Sequence, residues 1–245
     1  MAEVRTFEAH DKLAQAAAEA VLAAARDSVE HRGRFVWGLA GGNTPAMLYR
    51  LLTQEQYTAR MPWEQTFVFW GDERWVASNE PESNQRMAME EMLAKVAIPA
   101  ANVRPILTTG VTPDEAAATA ERHVRSLFDG PPRPDLVLLG MGEDGHTASL
   151  FPGSPTLLET EALFAASFID ELSAWRVTAT LALLNASRSV LFLVTGGGKA
   201  VAAKRVLYPQ PESVALPASL VSPTSGTLTW LMDKDAAALL PHTTL

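Results

Sequence analysis

The 245-residue chain contains no cysteine, which excludes disulfides, thiolate metal sites and cysteine nucleophiles and is typical of a reducing compartment. It also has no apolar run of the roughly 18–20 residues that a membrane-spanning helix needs. Four acidic side chains interrupt the first twenty residues: Glu3, Glu8, Asp11 and Glu19. A signal peptide would need an apolar stretch there. We therefore expect a cytoplasmic protein without a membrane span.

Positive charge is scarce, since 20 Lys and Arg face 28 Asp and Glu and give a formal net charge of -8. Nucleic acids and anionic membranes are bound by clustered Lys and Arg, so we expect neither as a partner. The hydrophobic fraction of 47% is ordinary for a globular domain with a sizeable core. An anionic ligand would have to be held by a local site, because the overall field repels it.

Strand patterns alternate with helix patterns along the chain, and no internal repeat interrupts them. Short apolar runs predict strands at residues 4–7, 34–39, 66–70, 135–139, 189–194 and 227–232. Helices are predicted at residues 11–31, from 45 onward, at 83–95, 113–128 and 200–207, and at the end of the chain. This alternation predicts one α/β domain over residues 1–245, with a mostly parallel sheet and helices on both faces.

Four predicted strands end in turns that carry glycine or charge, at residues 40–45, 71–74, 140–146 and 195–199. Ligands of such sheets bind beyond the carboxyl ends of the strands. In the first turn, Gly41, Gly42, Asn43 and Thr44 precede Pro45, with Thr44 the predicted helix N-cap. Free N–H groups at a helix start favour a phosphate. The alternative is an ordinary capped turn, since neither GxxxxGK[ST] nor GxGxxG is present.

His146 is the most informative candidate, because it alone of the five histidines lies in a glycine-rich turn after a predicted strand. The others are His10, His31, His123 and His242. Histidine titrates near neutral pH, and a nearby acid such as Asp144 can fix its tautomer, which suits a general base. The alternative is a histidine that the loop backbone holds for structural reasons.

Two further turns carry cations. Arg74 follows Asp72 and Glu73, and its planar guanidinium suits a phosphate or carboxylate, although a surface ion pair is the alternative. Lys199 can contact a phosphate as a point charge or remain a solvated side chain.

Two other chemistries are minor alternatives. Asp72, Glu73, Asp144 and His146 could form a mixed metal site, but the chain has no HExxH and no EF-hand spacing, so we expect no metal. Ser149 lacks the GxSxG surroundings of a nucleophilic serine.

Taken together, the motifs resemble the 6-phosphogluconolactonase family. They read LAGGNTP at 39–45, FWGDER at 69–74, SN at 83–84, LGMGEDGHTASLFP at 139–152 and VTGGGK at 194–199. They stand in the family's order, and the likeness runs from the first strand to the last. The resemblance implies an α/β fold shared with glucosamine-6-phosphate deaminases and ribose-5-phosphate isomerases. It also implies hydrolysis of 6-phosphoglucono-1,5-lactone in the oxidative pentose phosphate pathway, without metal or organic cofactor.

The resemblance makes His146 the general base and turns Arg74 and Lys199 toward the anionic substrate. We expect His146 to remove a proton from the water that attacks C1, with Asp144 or Asp72 orienting the imidazole. Arg74, Lys199 and the 41–44 turn would hold the phosphate, and backbone N–H groups or a cation such as Arg74 would hold the oxyanion that forms at C1. Asn43 stands where the family often has serine, and residues 170–175 lack the prolines common there. We expect a monomer or small homo-oligomer that acts on a small phosphorylated lactone.

Two other functions compete with this one. An amino-sugar phosphate deaminase of the same fold carries an Asn-Glu pair after the histidine, whereas residues 149–152 here read SLFP, which favours the lactonase. A sugar-phosphate sensor would carry a DNA-binding helix-turn-helix, and the first 33 residues offer only one acidic, Ala-rich helix.

Overall fold

The computed structural model describes residues 2–210 and 214–241, so His242 lies outside the described residues. The strands within them are β1 (Glu3–Phe7), β2 (Phe35–Leu39), β3 (Thr66–Trp70), β4 (Asp72–Arg74), β5 (Val103–Arg104), β6 (Leu136–Leu139), β7 (Phe164–Ile169), β8 (Ala174–Ala179), β9 (Ser189–Val194) and β10 (Thr227–Asp233). The helices are α1 (His10–Arg32), α2 (Asn43–Leu52), α3 (Glu55–Thr58), α4 (Asn84–Glu91), α5 (Pro113–Arg125), α6 (Leu181–Ala186) and α7 (Ala200–Leu207).

Seven strands form one parallel sheet in the order β1-β10-β9-β6-β2-β3-β5. This confirms the predicted α/β class with a mostly parallel sheet. Strands β2, β6 and β9 are buried over nearly their whole length, as parallel strands covered on both faces must be. Trp37, Trp70 and Trp230 are among the largest fully buried side chains, and Phe192 stacks on Trp230 with ring centroids 3.7 Å apart. Burial of the Phe192 side chain contributes roughly 1.5–3 kcal/mol by removing it from water.

A second, antiparallel sheet in the order β4-β8-β7 was not predicted. Strand β4 has only three residues, too few to show a periodic pattern. The hairpin of β7 and β8 turns through Ser173, which has a φ of 47° where glycine or asparagine is usual. Its turn therefore carries no sequence signal.

Several predicted features of the helices are confirmed, and others are wrong. Gly33 ends α1 in the left-handed conformation, and Thr112 with Glu115 forms the predicted capping box of α5. Thr44, however, is not an N-cap, because α2 begins at Asn43 after Gly42. The helix predicted at 83–95 ends at Glu91 and continues only as a separate 3-10 turn. After β10 the described residues form turns rather than the predicted helix.

The parallel topology determines where the candidate residues meet. Strands β2, β3, β6 and β9 are neighbours and all run the same way, so the turns that follow them lie at one edge of the sheet. Separately, no helix among the described residues is long and apolar enough to cross a membrane.

Candidate functional site

The four predicted turns surround one cavity at the carboxyl edge of the sheet. Its volume is about 250 Å³, and its lining includes Gly41, Gly42, Asp72, Arg74, Gly142, His146 and Lys199. A wider cavity of about 690 Å³ adjoins it and shares Asp72, Arg74, His146 and Ala148 as lining residues. Asp144 lines the wider cavity, whereas Asn43 and Thr44 line neither. Substrate contact by Asn43 and Thr44 therefore stays a prediction.

The imidazole of His146 is held by Asp144. His146 Nδ1 lies 2.6 Å from Asp144 Oδ1, and the backbone N–H of His146 donates to the same oxygen at 3.0 Å. A carboxylate can only accept, so in the neutral imidazole Nδ1 carries the proton and Nε2 keeps its lone pair. The ring also stacks on Phe151 at 4.3 Å between centroids. Together these contacts fix the tautomer and the orientation of a partly exposed imidazole.

The turn that carries His146 and Asp144 requires a glycine at position 142. The N–H of Gly142 donates to the His146 carbonyl at 2.8 Å, which closes the loop around the Asp144 side chain. A Cβ at Gly142 would overlap both His146 Nδ1 and Asp144 Oδ1. Glycine is therefore needed at position 142 because the two side chains occupy the space that any other residue would fill.

Asp72 has different partners. Its Oδ2 accepts a hydrogen bond from Ser149 Oγ at 2.6 Å, and its Oδ1 accepts one from Asn84 Nδ2 at 3.3 Å. Of the two acids considered for orienting the imidazole, Asp144 is thus the one hydrogen-bonded to His146. Ser149 is buried and its hydroxyl is committed to Asp72, so the geometry does not favour a serine nucleophile.

Glu73 points away from the cavity and anchors α4. Its carboxylate accepts the backbone N–H groups of Asn84, Gln85 and Arg74 at 2.7–2.8 Å, and the hydroxyl of Ser83 at 3.1 Å. Burial raises the pKa of Glu73, and the three N–H donors oppose part of that rise. The negative charge lies at a helix start, where it is stabilising. Among the described residues, no group of three His, Cys, Asp or Glu side chains could hold a metal ion.

Arg176 is a cation that the sequence patterns did not single out. It lies directly opposite Arg74 in the antiparallel pair of β4 and β8, and both side chains line the wider cavity. Burial, and then the charge of Arg74, lowers the pKa of Arg176. Like charges opposite each other on paired strands are unfavourable unless an anion lies between them. Only the pairing of β8 with β4, which no local pattern predicts, brings Arg176 to the site.

Lys199 is positioned by a turn that is tied to two distant segments. The N–H of Gly196 donates to both oxygens of Asp233, at 2.9 and 3.1 Å, at the end of β10. The hydroxyls of Thr195 and Thr44 are 2.8 Å apart and join this turn to the first one. Asp233 is buried, and its role was not predicted, because its position beside Gly196 depends on the parallel pairing of β10 with β9.

The comparisons with known proteins agree with this geometry. A family model described as glucosamine-6-phosphate isomerases/6-phosphogluconolactonase matches residues 8–230. A 6-phosphogluconolactonase from Synechocystis sp. is 40% identical over 213 residues, covering 85% of this chain and 86% of the relative. One from Rattus norvegicus is 38% identical and covers 97% and 93% of the two chains.

Among solved structures, the 6-phosphogluconolactonase from Trypanosoma brucei superposes with a TM-score of 0.88 at 30% identity, covering 98% of this chain and 99% of that one. The matches thus extend over nearly the whole sequence and include all four turns. The chain belongs to the glucosamine-6-phosphate isomerase/6-phosphogluconolactonase family.

Proposed function

We propose that this chain hydrolyses 6-phospho-D-glucono-1,5-lactone to 6-phospho-D-gluconate, a step of the oxidative pentose phosphate pathway, with His146 as general base. The observation that carries the proposal is the 2.6 Å contact between His146 Nδ1 and Asp144, placed in a cavity lined by cations. The names of the relatives at 38–40% identity support the same substrate.

The proposed reaction uses the free lone pair on His146 Nε2. A water molecule adds to the lactone carbonyl carbon C1 while Nε2 takes one of its protons. The resulting imidazolium is stabilised by the Asp144 carboxylate on the opposite nitrogen. The tetrahedral intermediate then collapses, the bond between C1 and the ring oxygen breaks, and Nε2 returns the proton to that oxygen. His146 is thereby restored, and the product carries a free hydroxyl and a carboxylic acid, which releases its proton to solvent and becomes the carboxylate.

The cations would recruit and orient the substrate. Arg74 lines both cavities, Lys199 lines the smaller one and Arg176 the wider one. A dianionic phosphate would relieve the repulsion between Arg74 and Arg176, and charge-assisted hydrogen bonds are stronger than neutral ones. Gly41 and Gly42 also line the smaller cavity, and their backbone N–H groups would be further donors to the phosphate. Fixing the phosphate would hold C1 against the water near Nε2.

The test is lactone hydrolysis by the wild type, His146→Ala and His31→Ala, with the lactone generated in situ and spontaneous hydrolysis subtracted. His31 is an exposed residue of α1 and serves as the matched control. We expect His31→Ala to retain activity and His146→Ala to lose about 10²–10⁴-fold, the usual contribution of a general base. Normal kcat in His146→Ala would disprove the base assignment.

The same enzyme preparations distinguish lactonase activity from deaminase activity, which is the nearest alternative. The deaminase reading requires an acid after the histidine, but Ser149 and Leu150 are buried there and neither is acidic. Ammonia release from glucosamine 6-phosphate is therefore expected to be negligible. Background lactone hydrolysis combined with ammonia release by the wild type would replace the lactonase proposal with a deaminase.

A further inference from the structure

A separate cavity lies at the opposite, amino edge of the parallel sheet. It has a volume of about 450 Å³ and lies between the C-terminal half of α1 and the starts of β6, β9 and β10. Three arginines line it: Arg32, Arg133 and Arg188. We call it the arginine cavity. Three guanidinium groups around one cavity stand out in a chain with a net charge of -8.

Two carboxylates in the arginine cavity already accept hydrogen bonds from groups of the protein. Asp135 is buried, and its oxygens accept hydrogen bonds from Arg32 Nε and from the backbone N–H of Val36, each at 2.8 Å. Arg32 also donates to Asp27 at 3.0 Å and to Ser28 Oγ at 2.9 Å. Arg32 is therefore the cation that the two carboxylates chiefly neutralise.

The positive charges of Arg133 and Arg188 are much less well neutralised by nearby carboxylates. Arg133 Nη2 donates to the carbonyl and hydroxyl oxygens of Ser225, at 2.6 and 3.0 Å, and forms no ion pair within residues 2–210 and 214–241. Arg188 Nε is buried without a hydrogen bond, and its one ion pair with another described residue is a 3.5 Å approach to Asp135. Burial, and then the charges of Arg133 and Arg32, lowers the pKa of Arg188. Keeping such a cation half-buried costs free energy unless an anion joins it.

The same cavity offers neutral donors. Ser28 Oγ accepts from Arg32 and Ser225 Oγ accepts from Arg133, and among the described residues neither hydroxyl proton has an acceptor. Two guanidinium groups and two hydroxyls thus present donors from several directions, which suits the tetrahedral oxygens of a phosphate better than a planar carboxylate. A volume of about 450 Å³ also leaves room for a small organic group.

We propose that the arginine cavity binds a small phosphate-bearing anion through Arg188 and Arg133, at a site separate from the candidate active site. Strands β6 and β9 run from one site to the other, since each begins at the arginine cavity and ends in a turn of the active-site cavity. Four residues of β6 span about 13 Å, so the two sites lie on opposite edges of one sheet.

The test is titration calorimetry with inorganic phosphate at constant ionic strength. The background is the variant Arg74→Gln/Arg176→Gln/Lys199→Ala, which removes the three cations that would bind phosphate at the candidate active site. Arg188→Gln and Arg133→Gln are added to it separately. Arg205→Gln is the matched control, because Arg205 is an exposed arginine of α7 outside the cavity. Glucose 6-phosphate is titrated in parallel, and tighter binding than free phosphate would assign a phosphate ester as the ligand.

We expect one saturable site in the background and in Arg205→Gln, and binding at least about 10-fold weaker in Arg188→Gln and Arg133→Gln. Circular dichroism checks that each variant is folded. Among the described residues, Arg133 forms no hydrogen bond or ion pair with the buried Asp135, so its variant keeps the test valid if Arg188→Gln unfolds. Absence of saturable binding in the background, or equal affinity in both arginine variants and the control, would overturn the proposal.

Discussion

The substitution Gly142→Ala tests whether the close packing of His146 on Asp144 is needed for activity. The added Cβ would overlap His146 Nδ1 and Asp144 Oδ1, the two atoms that form the 2.6 Å hydrogen bond. Both side chains are anchored, since Asp144 also accepts the His146 backbone N–H and the imidazole stacks on Phe151. The overlap therefore cannot be relieved by a simple rotation of one side chain.

The size of the expected loss in rate follows from how far the His146 or Asp144 side chain must move. The imidazole or the carboxylate must move by about 1 Å to restore ordinary van der Waals contact. A misplacement of about 1 Å in a reacting group can cost on the order of 10²-fold in rate. Overpacking of this kind lowers the free energy of unfolding by only about 1–3 kcal/mol, so the variant should still fold. Activity is thus expected to fall far more than stability.

The assay is steady-state lactone hydrolysis combined with urea unfolding. Gly130→Ala is the control, because a Cβ there meets no atom within 4 Å and Gly130 lines neither active-site cavity. We expect wild-type kcat for Gly130→Ala and a kcat reduced about 10²-fold for Gly142→Ala. If Gly142→Ala keeps wild-type kcat, the tight His146–Asp144 geometry is not what the reaction requires.

Three further outcomes are expected. Asp144→Asn should lower kcat by on the order of 10²-fold or more, because an amide does not hold the Nδ1–H tautomer; pH–rate profiles against wild type check this. Arg176→Gln should raise KM for the phosphorylated lactone about 10-fold and leave hydrolysis of unphosphorylated glucono-1,5-lactone unchanged; an equal effect on both lactones would contradict a phosphate contact. Asp233→Asn should lower the free energy of unfolding by about 1–3 kcal/mol and raise KM through the Gly196 turn; unchanged KM would show that Lys199 needs no such anchor.

The fold could be predicted largely from the sequence because its signals are local. Buried parallel strands are continuous apolar runs, so 66–70 and 189–194 were predicted with the bounds that the structure shows. Gly33 and the Thr112–Glu115 box act within one helical turn, and both predictions are confirmed. The β7–β8 hairpin escaped prediction because Ser173 turns the chain without glycine or proline.

The residues of the candidate site show the same contrast between local sequence signals and contacts between distant segments. His146, Arg74 and Lys199 follow strands of the main sheet directly, so their convergence was predictable from the parallel topology. Arg176 and Asp233 reach the site through strand pairings between distant segments, with Arg176 opposite Arg74 and Asp233 beside Gly196. Glu73 was considered as a metal ligand, and its inward orientation toward α4 depends on backbone N–H groups that a sequence does not display.

The pairing of β1 with β10 has a consequence for how the chain folds. Glu3 lies opposite Thr229, so strands from opposite ends of the chain are neighbours in the sheet. Pairing between such distant segments requires a long loop to close, which slows folding. Strand β10 also pairs with β9 and carries Asp233, which holds the Gly196 turn. The turn that presents Lys199 therefore gains this anchor only after residue 233 has been synthesised and β10 has paired with β9.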